Sequence, residues 1–414
     1  MIMLHQKCFQ LPHSLLSMED VYRAEKRLQN VLRRTSLIES PVFSCESGNH
    51  VYIKPENLQV TGAFKIRGAY YKISKLSPRE KKRGVIAASA GNHAQGIGYA
   101  AQLLGAKAML VMPATTPVIK VEATRNYGAE VVLYGNNFDE AYQRARELEK
   151  EHGYVFIHPF DDVDVIAGQG TLALEIINEL HQVDEIVVPI GGGGLVSGVA
   201  FAAKMVNPKI RVIGVEPEGA DCMKQSLGKG QVITLANVDT MADGTAVKRP
   251  GDVTFELVKQ FVDEIITVSD FDVIEAILLL MEKHKLVAEG AGALSLAGLK
   301  KLPAKNKNVA CLLSGGNIDI STISAIINRA LVSRGRLFCF TVNLPDIPGE
   351  LVKVATILSG LNANVIKLDY NQAKVIDRFK QVQLEVTVET NGHKHVQEIE
   401  QVFRTRGIVI HKVY

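Results

Sequence analysis

A chain of 414 residues that is 47% hydrophobic and 22% charged carries enough apolar side chains for two or three packed units, which excludes a disordered or fibrous protein. Its 47 basic and 44 acidic residues leave a net charge of +3 spread along the chain, so the expected partner is a small molecule, with no nucleic acid and no membrane. The five cysteines, Cys8, Cys45, Cys222, Cys311 and Cys339, form no Cys-x-x-Cys pair, and no apolar run reaches membrane-spanning length; reduced thiols, a cytoplasmic location and no metal centre are the expectations.

Residues 1–16 carry no periodicity and are expected to be loosely ordered. Ser17-Met-Glu-Asp20 has the form of a capping box and opens a helix to about Leu32. Val51–Lys54 reads as a short strand, and Thr61-Gly62 as a turn before a helix over Ala63–Leu76. From Gly84 strands and helices alternate. The strands are Val85–Ala88, Ala108–Met112, Glu130–Tyr134 and Val155–Ile157, and the helices between them are Asn92–Leu104, Val118–Tyr127 and Asn137–Glu151.

A second series follows with helix Val163–Leu180, strand Glu185–Ile190, helix Leu195–Val206, strands Ile210–Glu216 and Glu264–Val268, helices Phe271–His284 and Gly290–Leu299, and strand Asn308–Leu313. Such βα runs form parallel sheets covered by helices. Two α/β lobes are expected within residues 17–333, the smaller over about 50–158, with ligands at strand ends in the cleft between them. After Arg334 the order strand, helix, strand, strand, helix, strand over 334–414 predicts a separate ferredoxin-like βαββαβ domain, suited to binding or assembly.

Lys65 is the first candidate for chemistry. It falls in the first turn of its predicted helix, where the dipole and unpaired N–H groups place positive charge beside the amine, and apolar Phe64 and Ile66 flank it. Both effects disfavour the ammonium form, as a lysine that attacks a carbonyl requires, since a free lysine titrates near ~10.4.

Gly191-Gly192-Gly193-Gly194-Leu195 follows a buried strand and opens a helix, so bare backbone N–H groups can close around a phosphate there. It is neither a Walker A loop nor a dinucleotide glycine pattern. Ser89-Ala90-Gly91-Asn92-His93 lies at another strand-to-helix junction, where a substrate carboxylate can dock; Asn92 as a simple N-cap is the alternative. Ser314, after the strand Asn308–Leu313, offers a neutral hydroxyl that leaves a facing heteroaromatic nitrogen unprotonated, or serves only as a turn residue. An activated lysine, an anion cradle, an amide and a neutral hydroxyl together suit pyridoxal 5'-phosphate.

Residues from about 20 to 330 resemble the fold-type II pyridoxal-phosphate enzymes, and within them the threonine dehydratases. The resemblance is carried by KPENLQVTGAFKIRGA, ASAGNHAQG, AGQGTLALE, VPIGGGGLVSG and LLSGGNID. It implies Lys65 as the Schiff-base lysine, Asn92 at the ring oxygen, Gly191 to Leu195 around the phosphate and Ser314 at the ring nitrogen. It further implies an ammonia-lyase that converts L-threonine to 2-oxobutanoate and ammonia, a first step towards isoleucine.

Serine dehydratases and serine racemases share these motifs. Racemases of this kind carry a serine directly before the Gly-Asn of this loop, where this chain has Ala90, and alanine cannot return a proton. Family members that bind a cation use positions matched here by Glu216 and Ala220, but Cys222 stands where an Asp is needed, so no metal is predicted. The tail resembles an ACT-type domain, which implies an amino-acid effector, isoleucine or valine, near Asp346, Pro348, Gly349 and Leu351, and a homo-oligomer, dimer or tetramer. A non-catalytic amino-acid sensor is the reading from another class.

Overall fold

The computed structural model describes residues 16–303, 305–371 and 381–414. The stretch expected to be loosely ordered lies, up to residue 15, outside the described residues, as does Cys8. The chain divides into two compact units, 1–318 and 319–414.

The first unit holds two sheets. The larger contains β1 (Ile38–Glu39), β2 (His50–Pro55), β7 (Glu185–Pro189), β8 (Arg211–Pro217), β9 (Glu264–Val268) and β10 (Asn308–Leu313), in the order β1-β2-β10-β7-β8-β9. Only the β1–β2 pairing is antiparallel. The smaller sheet orders β3 (Val85–Ala88), β4 (Ala108–Met112), β5 (Glu130–Leu133) and β6 (Val155–Phe156) as β5-β4-β3-β6, all parallel. Strands β3, β4, β7 and most of β10 are buried along their length, as parallel strands covered on both faces must be.

Topology places the site. The last strand of the unit, β10, inserts between β2 and β7, so the segment after β2 (Lys65), the turn after β7 (the glycines) and the turn after β10 (Ser314) leave the same sheet edge. Helix Ile66–Lys75 is gripped on both sides where side chains are missing. A Cβ on Gly96 of helix Asn92–Leu104 would fall 3.2 Å from the backbone of Lys65 and Ile66, and one on Gly168 of helix Val163–Glu179 would fall 2.7 Å from Gly68 Cα.

The helix expected from Ala63 begins at Ile66, with Lys65 as its N-cap residue, because Ala63 instead forms an antiparallel bridge to Gly315. The Ser17 capping box is present, although that helix ends at Leu28. Helices Cys222–Lys229 and Asp252–Phe261 carry no predicted counterpart; each lies in a stretch punctuated by Gly219, Gly228, Pro250 and Gly251 that reads as loop. The single helix expected over Phe271–His284 is an α-helix, Asp270–Leu279, followed by a wider π turn that ends at Lys285 in the left-handed region.

The second unit opens with helix Ile320–Ser333 and continues with β11 (Leu337–Pro345), helix Glu350–Gly360, β12 (Asn364–Asn371), β13 (Gln381–Glu389), helix His393–Thr405 and β14 (Ile410–Lys412). Every pairing in the order β12-β13-β11-β14 is antiparallel, the ferredoxin-like arrangement. Phe338, Phe340 and Phe403 centre its core. Among the described residues no helix is long and apolar enough to cross a membrane.

Candidate active site

The Lys65 segment is stitched to the end of β10. Phe64 N donates to Ser314 O at 3.1 Å, Gly316 N donates to Gly62 O at 2.9 Å, and Ala63 bridges Gly315. Lys65 Nζ donates to Pro159 O at 2.8 Å. Burial pulls its pKa down to about 8, against the opposing carboxylate of Glu289. Desolvation is therefore the main cause of the shift, and the helix dipole invoked from sequence acts at an N-cap residue only. The Phe64 ring, 5.2 Å from Nζ, favours the ammonium and also works against the shift.

Pro159 leads straight to the glycine turn. The next residue, Phe160, fills the space that side chains at Gly192 and Gly194 would need, since a Cβ on Gly192 would lie 2.4 Å from its ring and one on Gly194 2.7 Å from its carbonyl. Gly193 adopts φ +99° and caps helix Gly194–Val206, a backbone shape open to glycine at little cost. Thr254 Oγ1 donates to Gly192 O at 2.6 Å and so pins the turn from the far side. The N–H groups of the helix's first turn have no carbonyl beneath them in their own helix, which leaves donors at this end that an anion could use.

Asn92 is not the N-cap of its helix; Gly91 is, and it makes no side-chain cap. The Asn92 amide instead crosses to the other lobe, donating from Nδ2 to Glu289 Oε1 at 2.5 Å and accepting at Oδ1 from Asn317 Nδ2 at 2.6 Å. Burial lifts the pKa of Glu289 to about 7. Ser89, Ala90 and Gly91 lie half-buried beside it at the C-terminal end of β3.

His93 turns away from the loop's surface. Its Nε2 lies 3.0 Å from Ile157 O and burial lowers its pKa to about 3, so it is neutral there. His158 is also neutral, lowered to about 4 by burial, and its Nδ1 accepts from Asp161 N at 2.8 Å. Ser314 is buried, with its hydroxyl 3.4 Å from Ala291 O.

The structure thus gathers Lys65, Asn92 and Ser314 and adds Glu289, Asn317, Pro159 and Phe160, which sequence reasoning did not single out as site residues. Asn317 stood inside the quoted LLSGGNID motif. Glu289 carried a weaker signal, an acid between an apolar run and the glycines of a helix start. Glu216 lies elsewhere, its two oxygens accepting from Met223 N and Lys224 N at 2.9 Å each.

Residues 28–315 match the family described as pyridoxal-phosphate dependent enzyme. The chain is 48% identical over 394 residues to an L-threonine ammonia-lyase of Thermotoga maritima, covering 95% of this chain and 98% of that relative. Among solved structures it is similar to the processed form of threonine deaminase isoform 2 from Solanum lycopersicum, with TM-score 0.72, 39% identity, and 76% of this chain and 94% of that one covered. It is similar also to maize serine racemase, with TM-score 0.73, 34% identity, and 78% and 99% covered.

Proposed function

The chain belongs to the pyridoxal-phosphate dependent enzyme family, and we propose that it is a lyase that deaminates L-threonine to 2-oxobutanoate and ammonia, the first step towards isoleucine. The reading rests on the Lys65 amine, depressed to about 8 and held on the segment joined to Ser314, in a chain whose relatives carry that activity in their names.

The residues present suit the cofactor. Glycines that leave no room for a Cβ form a turn at a helix start, where a phosphate would sit against Gly191 to Leu195. Asn92 would donate to the ring oxygen, and the Ser314 hydroxyl would face the ring nitrogen. When bound, pyridoxal phosphate supplies an aldehyde for an amine and an electron-withdrawing ring.

The protein's part is positioning and proton movement. Backbone N–H groups and the Ser89 hydroxyl in the loop from Ser89 to His93 hold the substrate carboxylate. Lys65 Nζ would take the α-proton of the bound substrate; a pKa near 8 leaves a useful neutral fraction at physiological pH. The β-hydroxyl departs as water, and a second water releases ammonia from the product, so atoms balance. Ala90 offers no group to return a proton from the opposite face, which supports elimination over racemisation.

The second unit has the ferredoxin-like order of an ACT-type domain. An amino-acid effector, isoleucine or valine, would bind where Gly349, at φ +99°, turns β11 into helix Glu350–Gly360 and Asp346 Oδ1 accepts from Tyr370 Oη at 2.8 Å. Assembly into a dimer or tetramer goes with such control.

Ketoacid release by purified protein from L-threonine and L-serine, with and without isoleucine, tests the reading. Threonine should be the better substrate and Lys65→Ala should abolish turnover. A serine-preferring enzyme, or D-serine in the recovered substrate, would favour the serine dehydratase or racemase reading that the maize relative keeps open. A colourless, inactive protein would leave an amino-acid sensor.

A further inference from the structure

We propose that Asn317 and Glu289 are positioning residues that set which end of the Asn92 amide faces the cofactor, an inference that rests on the pyridoxal-phosphate reading of this site.

The two ends of an amide differ in chemistry and hardly at all in shape, so an unconstrained Asn92 could present oxygen where a donor is needed. A chain of contacts removes that freedom, and it starts from the backbone. Asn317 Nδ2 lies 2.9 Å from Thr61 O. A carbonyl only accepts, so the end of Asn317 that faces it must be its NH2.

The same nitrogen lies 2.6 Å from Asn92 Oδ1 and 3.3 Å from Gln95 Oε1. An NH2 group only donates, so the end of Asn92 beside it must be the oxygen. The Asn92 nitrogen is thereby turned towards Glu289 Oε1 at 2.5 Å. One of its two hydrogens serves Glu289. The other remains for the ring oxygen of the cofactor. With Asn92 flipped, its nitrogen would face the Asn317 nitrogen, donor against donor, whatever the protonation state of Glu289, and its oxygen would also face oxygen whenever Glu289 is ionised.

Neighbouring glycines keep the two partners in place. A Cβ on Gly62, itself at φ +72°, would fall 2.4 Å from Asn317 Oδ1, and one on Gly315 would fall 2.3 Å from Glu289 Oε1 and 3.2 Å from Asn92 Nδ2. Glu289 is fixed as well by its backbone, its N–H donating to Gly315 O at 3.1 Å and its carbonyl accepting from Ala293 N at 3.1 Å. Both partners therefore reach Asn92 from segments next to Ser314.

The test titrates full-length apoprotein with pyridoxal phosphate and records the dissociation constant and the ratio of visible to near-ultraviolet absorbance of the bound cofactor. Asn317→Leu removes the donor and Glu289→Leu the acceptor. Each should weaken binding about ten- to a hundredfold and shift the absorbance ratio in the direction Asn92→Ala shifts it. Glu289→Gln keeps an acceptor end and should restore most of both readouts. In the Asn92→Ala background, Asn317→Leu should add little.

Wild-type values in Asn317→Leu and Glu289→Leu, a Glu289→Gln as impaired as Glu289→Leu, or an additive double variant would each overturn the proposal while leaving the cofactor reading intact. Should Asn317→Leu fail to fold, the Glu289→Leu and Glu289→Gln pair still decides. A wild-type protein that binds no pyridoxal phosphate and shows no such bands overturns the cofactor reading itself, and this inference with it.

Discussion

Phe64 N and Ser314 O are joined by a 3.1 Å hydrogen bond, so the residue before the candidate nucleophile is tied to the residue that follows β10, an inner strand of the large sheet. The two lie 250 positions apart in sequence. Their neighbourhood follows from β10 inserting beside β2.

The first prediction concerns the Lys65 amine. Its pKa is lowered to about 8, and only the neutral amine attacks an aldehyde. In apoprotein mixed with pyridoxal phosphate, the rate of the absorbance change should rise about tenfold per pH unit below 8 and level off above it. A rate that keeps climbing to about pH 10 would mean an ordinary, solvated lysine.

Behind Lys65, Arg67 is wholly buried between two carboxylates. It pairs with Glu56 through Nε at 2.8 Å and through its terminal nitrogen at 2.8 Å, and with Glu175 at 2.5 and 3.0 Å, while Lys54 Nζ lies 2.7 Å from Glu175. Arg67→Met should cost about 3–5 kcal/mol in denaturant unfolding, since it leaves buried carboxylates uncompensated. Burial raises the Glu175 pKa, but Arg67 and then Lys54 outweigh it and hold it at about 2. A depressed acid stabilises the fold above its usual 4.5 and loses that contribution as pH falls through 2. Wild-type stability should fall over that window, and more steeply than in Arg67→Met.

Glu216 has the opposite sign. Burial raises it from 4.5 to about 8, against two backbone N–H donors and Lys224, and with Asp221 adding to the rise. The folded protein then holds a proton that the unfolded chain has lost, so this contribution is full below pH 4.5 and is lost as pH rises through 8. Compared by denaturation at pH 5 and pH 8.5, wild type should lose on the order of 3 kcal/mol relative to Glu216→Gln. Equal losses in both proteins would show a carboxylate that is ionised throughout.

Gly192→Ala should act on the cofactor through Phe160. The added methyl meets the ring at 2.4 Å and displaces the residue next to Pro159, whose carbonyl holds Lys65. Overpacking of this kind costs about 1–3 kcal/mol, or about five- to 150-fold weaker pyridoxal phosphate binding by equilibrium titration. Unchanged affinity would mean that the turn has room to spare.

Local chemistry made much of this protein legible in one dimension. The α/β alternation through both sheets and the βαββαβ order of the tail follow from hydrophobic period and turn residues, with β3, β4, β9 and β10 ending where apolar runs meet glycine, proline or serine. Lys65, Asn92, the four glycines and Ser314 stood out because each has an unusual residue type at a strand or helix end. Tertiary structure alone decided what surrounds them. Glu289 and Asn317 are ordinary residues until β10 threads between β2 and β7 and brings them against Asn92, and the Lys65 amine is depressed chiefly because packing removes its water. Desolvation and hydrogen bonding across about two hundred residues depend on which segments meet, and periodicity along a chain does not carry that information.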